Sequence, residues 1–188
     1  SLELTGKLGD VMKESVRCAR TISWRIFKGD IRSHMEQEWR ENALHVHFPA
    51  GGTSKDGPSA GAAITTAIIS YFSKMPFRNY VAMTGEIDLH GNVTIIGGLQ
   101  CKIEGARRAG VRLVLIPREN AAEYLEFCEK IGPEPVVIAV DNISQIIRTC
   151  LIGAEDDNFQ YLHPVIGDPV VTAITEAIHL IEEPDVEA

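Results

Sequence analysis

The chain has 188 residues, 45% of them hydrophobic, with 26 acidic and 18 basic side chains and a net charge of −8. That length suits one domain with an appendage, or at most two small ones, and that apolar content argues against disorder. An acidic chain without a basic face excludes a nucleic-acid footprint.

Other classes are excluded locally. The longest apolar run, near 60–69, is too short and too broken by threonine to span a bilayer, so no membrane association is expected. Cys18, Cys101, Cys128 and Cys150 share no CxxC or Cys/His spacing. Neither a zinc site nor a disulfide framework is expected; free thiols in a reducing, intracellular compartment are. Residues 1–4 carry neither a basic region nor an apolar run, so no targeting peptide is expected, and the chain reads as starting inside a longer protein.

Leu8, Val11, Met12, Ala19, Ile22 and Ile26 recur at three- and four-residue spacing, which predicts an amphipathic helix over about 9–27. The polar stretch after Gly29-Asp30, through 34–41, reads equally as a short helix or a loop. Over 42–48, Leu44, Val46 and Phe48 alternate with His45 and His47, the pattern of a strand, and Pro49 ends it. A loop rich in glycine (Gly51, Gly52, Gly57) leads to a helical pattern over 58–71, with Ala60, Ile64, Ala67, Ile68 and Tyr71 on one stripe. Residues 80–83 read as a strand, and 86–89 with 92–96 as a hairpin about His90-Gly91. A helix from near Lys102 to 109, a strand over 112–116, a helix over 120–130, a strand over 135–140 and a helix over 143–151 follow. This alternation implies an α/β (α+β) fold of mixed, partly parallel sheets with flanking helices.

Residues 153–188 hold nine of the acids and no lysine or arginine, which leaves 1–152 close to neutral. A break is expected at 153–158. Asp168-Pro169 then makes a helix start, Asp as N-cap and Pro at the first position. Val170, Val171, Ile174, Ile178 and Ile181 form a stripe that must bury against this domain or a neighbouring subunit. The expected division is a domain over 1–152 and an acidic extension over 153–188 with a helix near 169–182.

Two segments carry chemistry. Asp56-Gly57-Pro58-Ser59-Ala60-Gly61 puts a serine at the mouth of a helix, and Gly97-Gly98-Leu99-Gln100-Cys101-Lys102 puts a lysine at the start of another. A serine hydroxyl becomes a useful nucleophile when a base is within reach and backbone N–H groups await the oxyanion. A helix N-terminus supplies such groups, and a desolvated lysine supplies the base. Ser59 and Lys102 therefore read as a Ser-Lys dyad; the plainer readings are a capping serine and a solvated lysine. Thr84, at a strand end, either holds a neutral amine or reflects β-propensity. Asp56 either caps the helix that Ser59 opens, lines the site, or is simply solvated in its loop. Glu86 is a structural anion or a cation's partner. Cys101 ranks below Ser59 as nucleophile, since no histidine adjoins it. His45 and His47 share a strand face without an evident third ligand and read as polar lining or surface. The glycine loop lacks the GK[ST] ending of a phosphate-binding loop.

Taken together, Lys55 to Gly61, then Met83-Thr84-Gly85-Glu86-Ile87, then Ile96 to Lys102 resemble the three signature blocks of the Lon protease proteolytic domain, in order and spacing. Leu4 to Ser15 resembles that domain's opening helix, His45-Val46-His47-Phe48-Pro49 its first strand, and 109–120 its later strand and turn. The resemblance covers about residues 3–152. It implies a serine endopeptidase with Ser59 as nucleophile, Lys102 as general base, Thr84 orienting the lysine, and Asp56, Gly57, Pro58 and Glu86 in supporting places. It further implies a ring of six subunits that degrades unfolded or damaged proteins, in the cytoplasm or the mitochondrial matrix. The domain itself needs no cofactor; ATP and Mg are expected for an AAA+ module elsewhere in the same protein, since no Walker A pattern occurs in these residues. Where the family usually has a charged pair, this chain has Gln100-Cys101. The rival class is the non-catalytic Lon-like scaffold of DNA-associated ATPases, against which the presence of both Ser59 and Lys102 and the lack of a basic face argue.

Overall fold

A computed structural model describes residues 1–53, 55–154 and 158–183. It opens with strand β1 (Leu2–Thr5), which pairs in parallel with β2 (Leu44–His47), Leu2 opposite Leu44. The resemblance assigned Leu4 and Thr5 to the opening helix, and the structure corrects this. Four residues are too few to show an alternation on their own, and pairing with a segment forty residues away decides their state. Leu2, Leu4, Leu44 and Val46 lean on the core, while Glu3, Thr5, His45 and His47 face outward.

Helix α1 (Asp10–Ile26) follows the expected periodicity and buries Met12, Val16, Ala19, Ile22 and Ile26. The polar stretch beyond it is a helix, α2 (Gly29–Glu41), whose one fully buried residue is Met35. Ile31 and Trp39, four residues to either side, are partly buried against the same core, Trp39 stacked on Phe72 with ring centroids 5.6 Å apart. A stripe of three apolar residues in a polar segment is a weak signal, which is why the sequence reads equally as helix or loop. Helix α3 (Gly61–Ser73) packs along α1 through Ile64, Ile68, Ile69 and Phe72. It begins later than the pattern over 58–71 suggested, because Pro58, Ser59 and Ala60 form a separate turn ahead of it.

The rest of the chain builds the sheet that holds the site. Strand β3 (Val81–Met83) leads to the antiparallel hairpin β4 (Glu86–Ile87) and β5 (Val93–Thr94). Then come α4 (Leu99–Arg108), β6 (Leu113–Pro117), a 3-10 turn (Arg118–Asn120), α5 (Ala121–Ile131), β7 (Val136–Val140) and α6 (Ile143–Cys150). Strands β3, β6 and β7 form one parallel sheet with β6 in the middle. All five residues of β6 are buried, as a central parallel strand covered on both faces requires. Leu113 and Leu115 join the core made with α1, α3 and α6. Val114 and Ile116 join a second core with Ile96, Leu99 and Ile103 around α4, and Phe127 and Ile131 of α5. The result is three layers, with helices on both faces of the sheet.

The hairpin is fastened to α6 by Asn142, which is 1% exposed. Its amide donates to the carbonyl of His90 at 3.1 Å and to Oδ1 of Asn92 at 3.2 Å, and its oxygen accepts from the Ser144 N–H at 3.0 Å. Helix α7 (Pro169–Glu182) starts as its sequence predicts: Asp168 accepts from the Val170 N–H at 2.8 Å, with Pro169 next. Of the expected stripe of α7, Ile174 and Ile178 are buried within this chain together with Ala177, where α7 meets α6 and β7, and Val170 and Ile181 are partly buried against the same core. Glu182 accepts from the Tyr80 hydroxyl at 2.6 Å and pairs with Arg78, and Gln145 donates to Asp168 at 2.7 Å. The break expected at 153–158 follows the end of α6, with Gly153 in a turn at φ +81°; its residues 155–157 lie outside the described residues. Among the described residues no helix is long and apolar enough to cross a membrane.

Candidate active site

The loop before Ser59 is held from both sides. Its backbone joins the start of α1, the Gly9 N–H donating to the Lys55 carbonyl at 2.7 Å and the Lys55 N–H to that of Lys7 at 3.1 Å. The Lys55 ammonium ties the loop to itself, donating to the carbonyls of Ala50 at 2.8 Å and Thr53 at 3.0 Å, and to the segment after β1 through the Gly6 carbonyl at 3.2 Å. Asp56 accepts from the Met12 N–H at 2.9 Å and so caps α1, whose own cap residue Gly9 has no side chain to do so. The reading of Asp56 as cap of the Ser59 helix is therefore corrected: it caps a helix forty-odd residues earlier, a contact that spacing in sequence does not reveal. Asp56→Ala is expected to cost about 1 kcal/mol of stability and Asp56→Asn much less, because the amide oxygen still accepts. Thermal unfolding followed by circular dichroism checks this; equal melting temperatures for the two variants would contradict it.

Ser59 sits in a turn closed by the Gly61 N–H on the Pro58 carbonyl at 3.1 Å. That turn is stitched to the segment after β3. The Gly85 N–H donates to the Ser59 carbonyl at 2.9 Å, the Ala62 N–H to the Gly85 carbonyl at 3.1 Å, and the Thr84 hydroxyl to the Ser59 carbonyl at 3.4 Å. Gly61 makes the close approach possible: a Cβ there would stand 2.9 Å from the backbone nitrogen of Ile87. Gly61→Ala must push α3 away from this segment. It is expected to lower turnover at least about tenfold, since misplacing a reacting group by ~1 Å costs on the order of 10²-fold. Peptidase assay of the folded variant is the measurement, and unchanged kcat would remove this argument.

Two of the N–H groups at the start of α3, those of Gly61 and Ala62, are thus already engaged. The N–H groups of Ser59 and Ala60 have no hydrogen-bond partner among the described residues. The Ser59 hydroxyl likewise has none, and the residue is half-buried.

Lys102 lies one turn into α4, its backbone N–H on the Gly98 carbonyl at 3.2 Å. Gly98 caps the helix with φ +69°, a left-handed value that suits glycine. Burial pulls the lysine below its ordinary value of 10.5. Among the described residues no carboxylate pairs with the ammonium to offset this. No hydrogen bond joins Lys102 to Ser59 among the described residues.

Thr84 is buried, and its N–H donates to the Leu115 carbonyl of β6 at 3.1 Å. Its hydroxyl turns to the Ser59 carbonyl, which leaves oxygen lone pairs to accept from an amine. Gly57 and Pro58 shape the approach to the serine, Gly57 with φ +114°. Glu86 is exposed and lines a cleft of about 440 Å³ with Pro58, Glu14, Asp88 and Cys18. Both Glu14 and Glu86, behind the larger effect of burial, raise the Cys18 thiol. Cys101 is exposed. His45 and His47 stand on the outer face of β2, where Thr5 Oγ1 meets them at 2.9 and 2.7 Å. Among the described residues no group of three His, Cys, Asp or Glu could hold a metal ion. An apolar groove of about 690 Å³ runs between β2 and α3, past Leu44, Val46, Phe48, Tyr71 and Ala67, and reaches Ala60 beside Ser59.

One residue at this end of the sheet escaped the sequence. Asn120 is 1% exposed and binds both polar groups of Ile96. An asparagine at a helix start reads as an N-cap, and nothing in the spacing separates that role from the one observed.

The chain is thus an α/β scaffold in which a serine-bearing turn and a lysine-bearing helix are held to one end of a parallel sheet. The comparisons are more specific. The Lon protease (S16) C-terminal proteolytic domain matches residues 1–153. The chain is similar to the Lon protease of Trichlorobacter lovleyi, 43% identical over 151 residues, 80% of this chain and 18% of that protein. It is similar to that of Halothermothrix orenii, 43% over 157 residues, 84% of the chain and 20% of that protein. It is also similar to that of Haemophilus influenzae, 44% over 151 residues, 80% and 18%. The chain belongs to the Lon protease (S16) C-terminal proteolytic domain family. It spans about a fifth of the length of the curated relatives it matches.

Proposed function

We propose that the chain is a serine endopeptidase domain in which Ser59 is the nucleophile and Lys102 the general base. The observation that carries this is a half-buried lysine at a helix start, depressed by desolvation and lacking a carboxylate partner among the described residues, in a member of a protease family. A neutral amine is what the chemistry requires. Lys102 accepts the hydroxyl proton as Ser59 Oγ bonds to the substrate carbonyl carbon. The negative charge moves to the carbonyl oxygen, and the N–H groups of Ser59 and Ala60 are the donors left to receive it. Collapse of this intermediate breaks the C–N bond, and Lys102-H⁺ gives its proton to the departing amine. Water, deprotonated by the same lysine, then releases the acyl group and restores the hydroxyl. Thr84, accepting from the amine, orients it, and Asp56 stiffens the serine loop from α1.

For the protein in which this domain acts, the reading extends to degradation of unfolded or damaged proteins. A ring of six subunits with an AAA+ module using ATP and Mg fits the relatives' greater length. Free cysteines fit a reducing intracellular compartment. Named relatives that are proteases favour this over the scaffold class. The test is a fluorophosphonate probe with mapping of the labelled peptide: label on Ser59, lost in Ser59→Ala and reduced in Lys102→Met, supports the dyad. Label elsewhere, or undiminished in Lys102→Met, counts against it.

A further inference from the structure

Asn120 holds the N-cap place of α5, yet its side chain makes no cap bond. Its oxygen accepts from the Ile96 N–H at 3.1 Å, and its nitrogen donates to the Ile96 carbonyl at 3.0 Å and to Glu123 Oε2 at 3.1 Å. The amide grips one residue by both backbone groups, as a neighbouring strand would. The residues after Ile96 give the reason a grip is needed. Gly97 and Gly98 are exposed, and a Cβ at either would touch nothing. No side chain there guides the chain into α4. Beyond them Leu99 and Ile103 are fully buried and turn one face of α4 inward, but apolar contact is non-directional and leaves the helix free to slide along that face. The paired hydrogen bonds are directional.

Asn120 also stands at the end of the segment that holds Ser59. It closes the 3-10 turn after β6. Leu115 of β6 accepts from the Thr84 N–H, and Gly85 donates to the Ser59 carbonyl. Serine loop, β6 and the approach to α4 are thus joined by three sets of hydrogen bonds, the last being Asn120 on Ile96.

We propose that Asn120 is a positioning residue for hydrolysis: by holding Ile96 it fixes the start of α4, and with it the Lys102 amine, relative to Ser59. This rests on Lys102 being the base. The depressed lysine agrees with it, since a loosened α4 would return water to the amine.

The test uses the intact protein, a fluorogenic peptide, and two variants. Asn120→Ala removes both bonds. Asn120→Asp keeps the shape and the acceptor for the Ile96 N–H but loses the donor to the Ile96 carbonyl. For folded variants, melting well above the assay temperature, kcat is expected to fall roughly 10- to 100-fold with KM within about twofold. The acid limb of the kcat profile is expected to move toward 10.5. Competitive acetylation of Lys102 across pH, read by peptide mass, should move the same way. A purely structural asparagine would lower the melting temperature and leave kcat and the lysine titration in place, which overturns the proposal. So does failure of both variants to fold, which makes Asn120 a folding determinant. Lys102→Met separates the two claims. If it retains turnover, the dyad is wrong; if it is inactive while folded Asn120 variants are normal, only this inference falls.

Discussion

Ser59→Ala is expected to fold normally and to lose peptide turnover by roughly 10⁶-fold, the size seen when a serine nucleophile is removed from a protease whose groups act as a unit. The expectation of normal folding comes from the structure. What Ser59 contributes to the architecture is its carbonyl, which accepts from Gly85 and Thr84, and alanine keeps it. The hydroxyl has no partner among the described residues, so deleting it strands nothing buried. Melting temperature within a degree or two of the parent, together with absent turnover, is the outcome in favour. Turnover within tenfold of the parent would place the nucleophile elsewhere, Cys101 being next in line.

Lys102→Arg is expected to be nearly as damaging, at least about 10³-fold, although it keeps the positive charge. A guanidinium does not deprotonate in the working range and cannot act as base. Lys102→Met should match it in inactivity but differ in stability. The folded lysine sits below 10.5. Between its folded value and 10.5 the unfolded chain binds more protons than the folded one, so this group's contribution to stability rises with pH across that window. Below the window the folded state carries the full cost of a desolvated charge. Methionine removes that cost, so Lys102→Met should melt no lower than the parent at neutral pH. In the parent, kcat should climb with pH along the deprotonation of the lysine and level off below 10.5. A flat profile from pH 6 to 10, or an active Lys102→Arg, would contradict the assignment.

How much of this was legible in the sequence depends on where each signal resides. The periodic helix α1, the hairpin about His90-Gly91 and the Asp168-Pro169 start of α7 are local patterns, and each formed where the residues called for it. Strand β1 was not visible, because four residues carry no period and only β2 makes them a strand. Helix α2 is ambiguous in the sequence because its core-facing stripe is only Ile31, Met35 and Trp39 in a polar segment. Asp56 and Asn120 both have partners that local sequence does not show. A short polar side chain beside a helix start looks like that helix's cap, whereas Asp56 serves α1 and Asn120 serves Ile96.

By itself the sequence determined the family, the alternation of helix and strand, and which residues can attack and which can take a proton, since those depend on residue type and near-neighbour spacing. The tertiary structure decided what surrounds them: which N–H groups remain open beside Ser59, that burial rather than an anion tunes Lys102, and that the serine turn and the lysine helix are tied to one end of β6. Hydrogen bonds and desolvation act between groups far apart along the chain, and only folding brings those groups within reach.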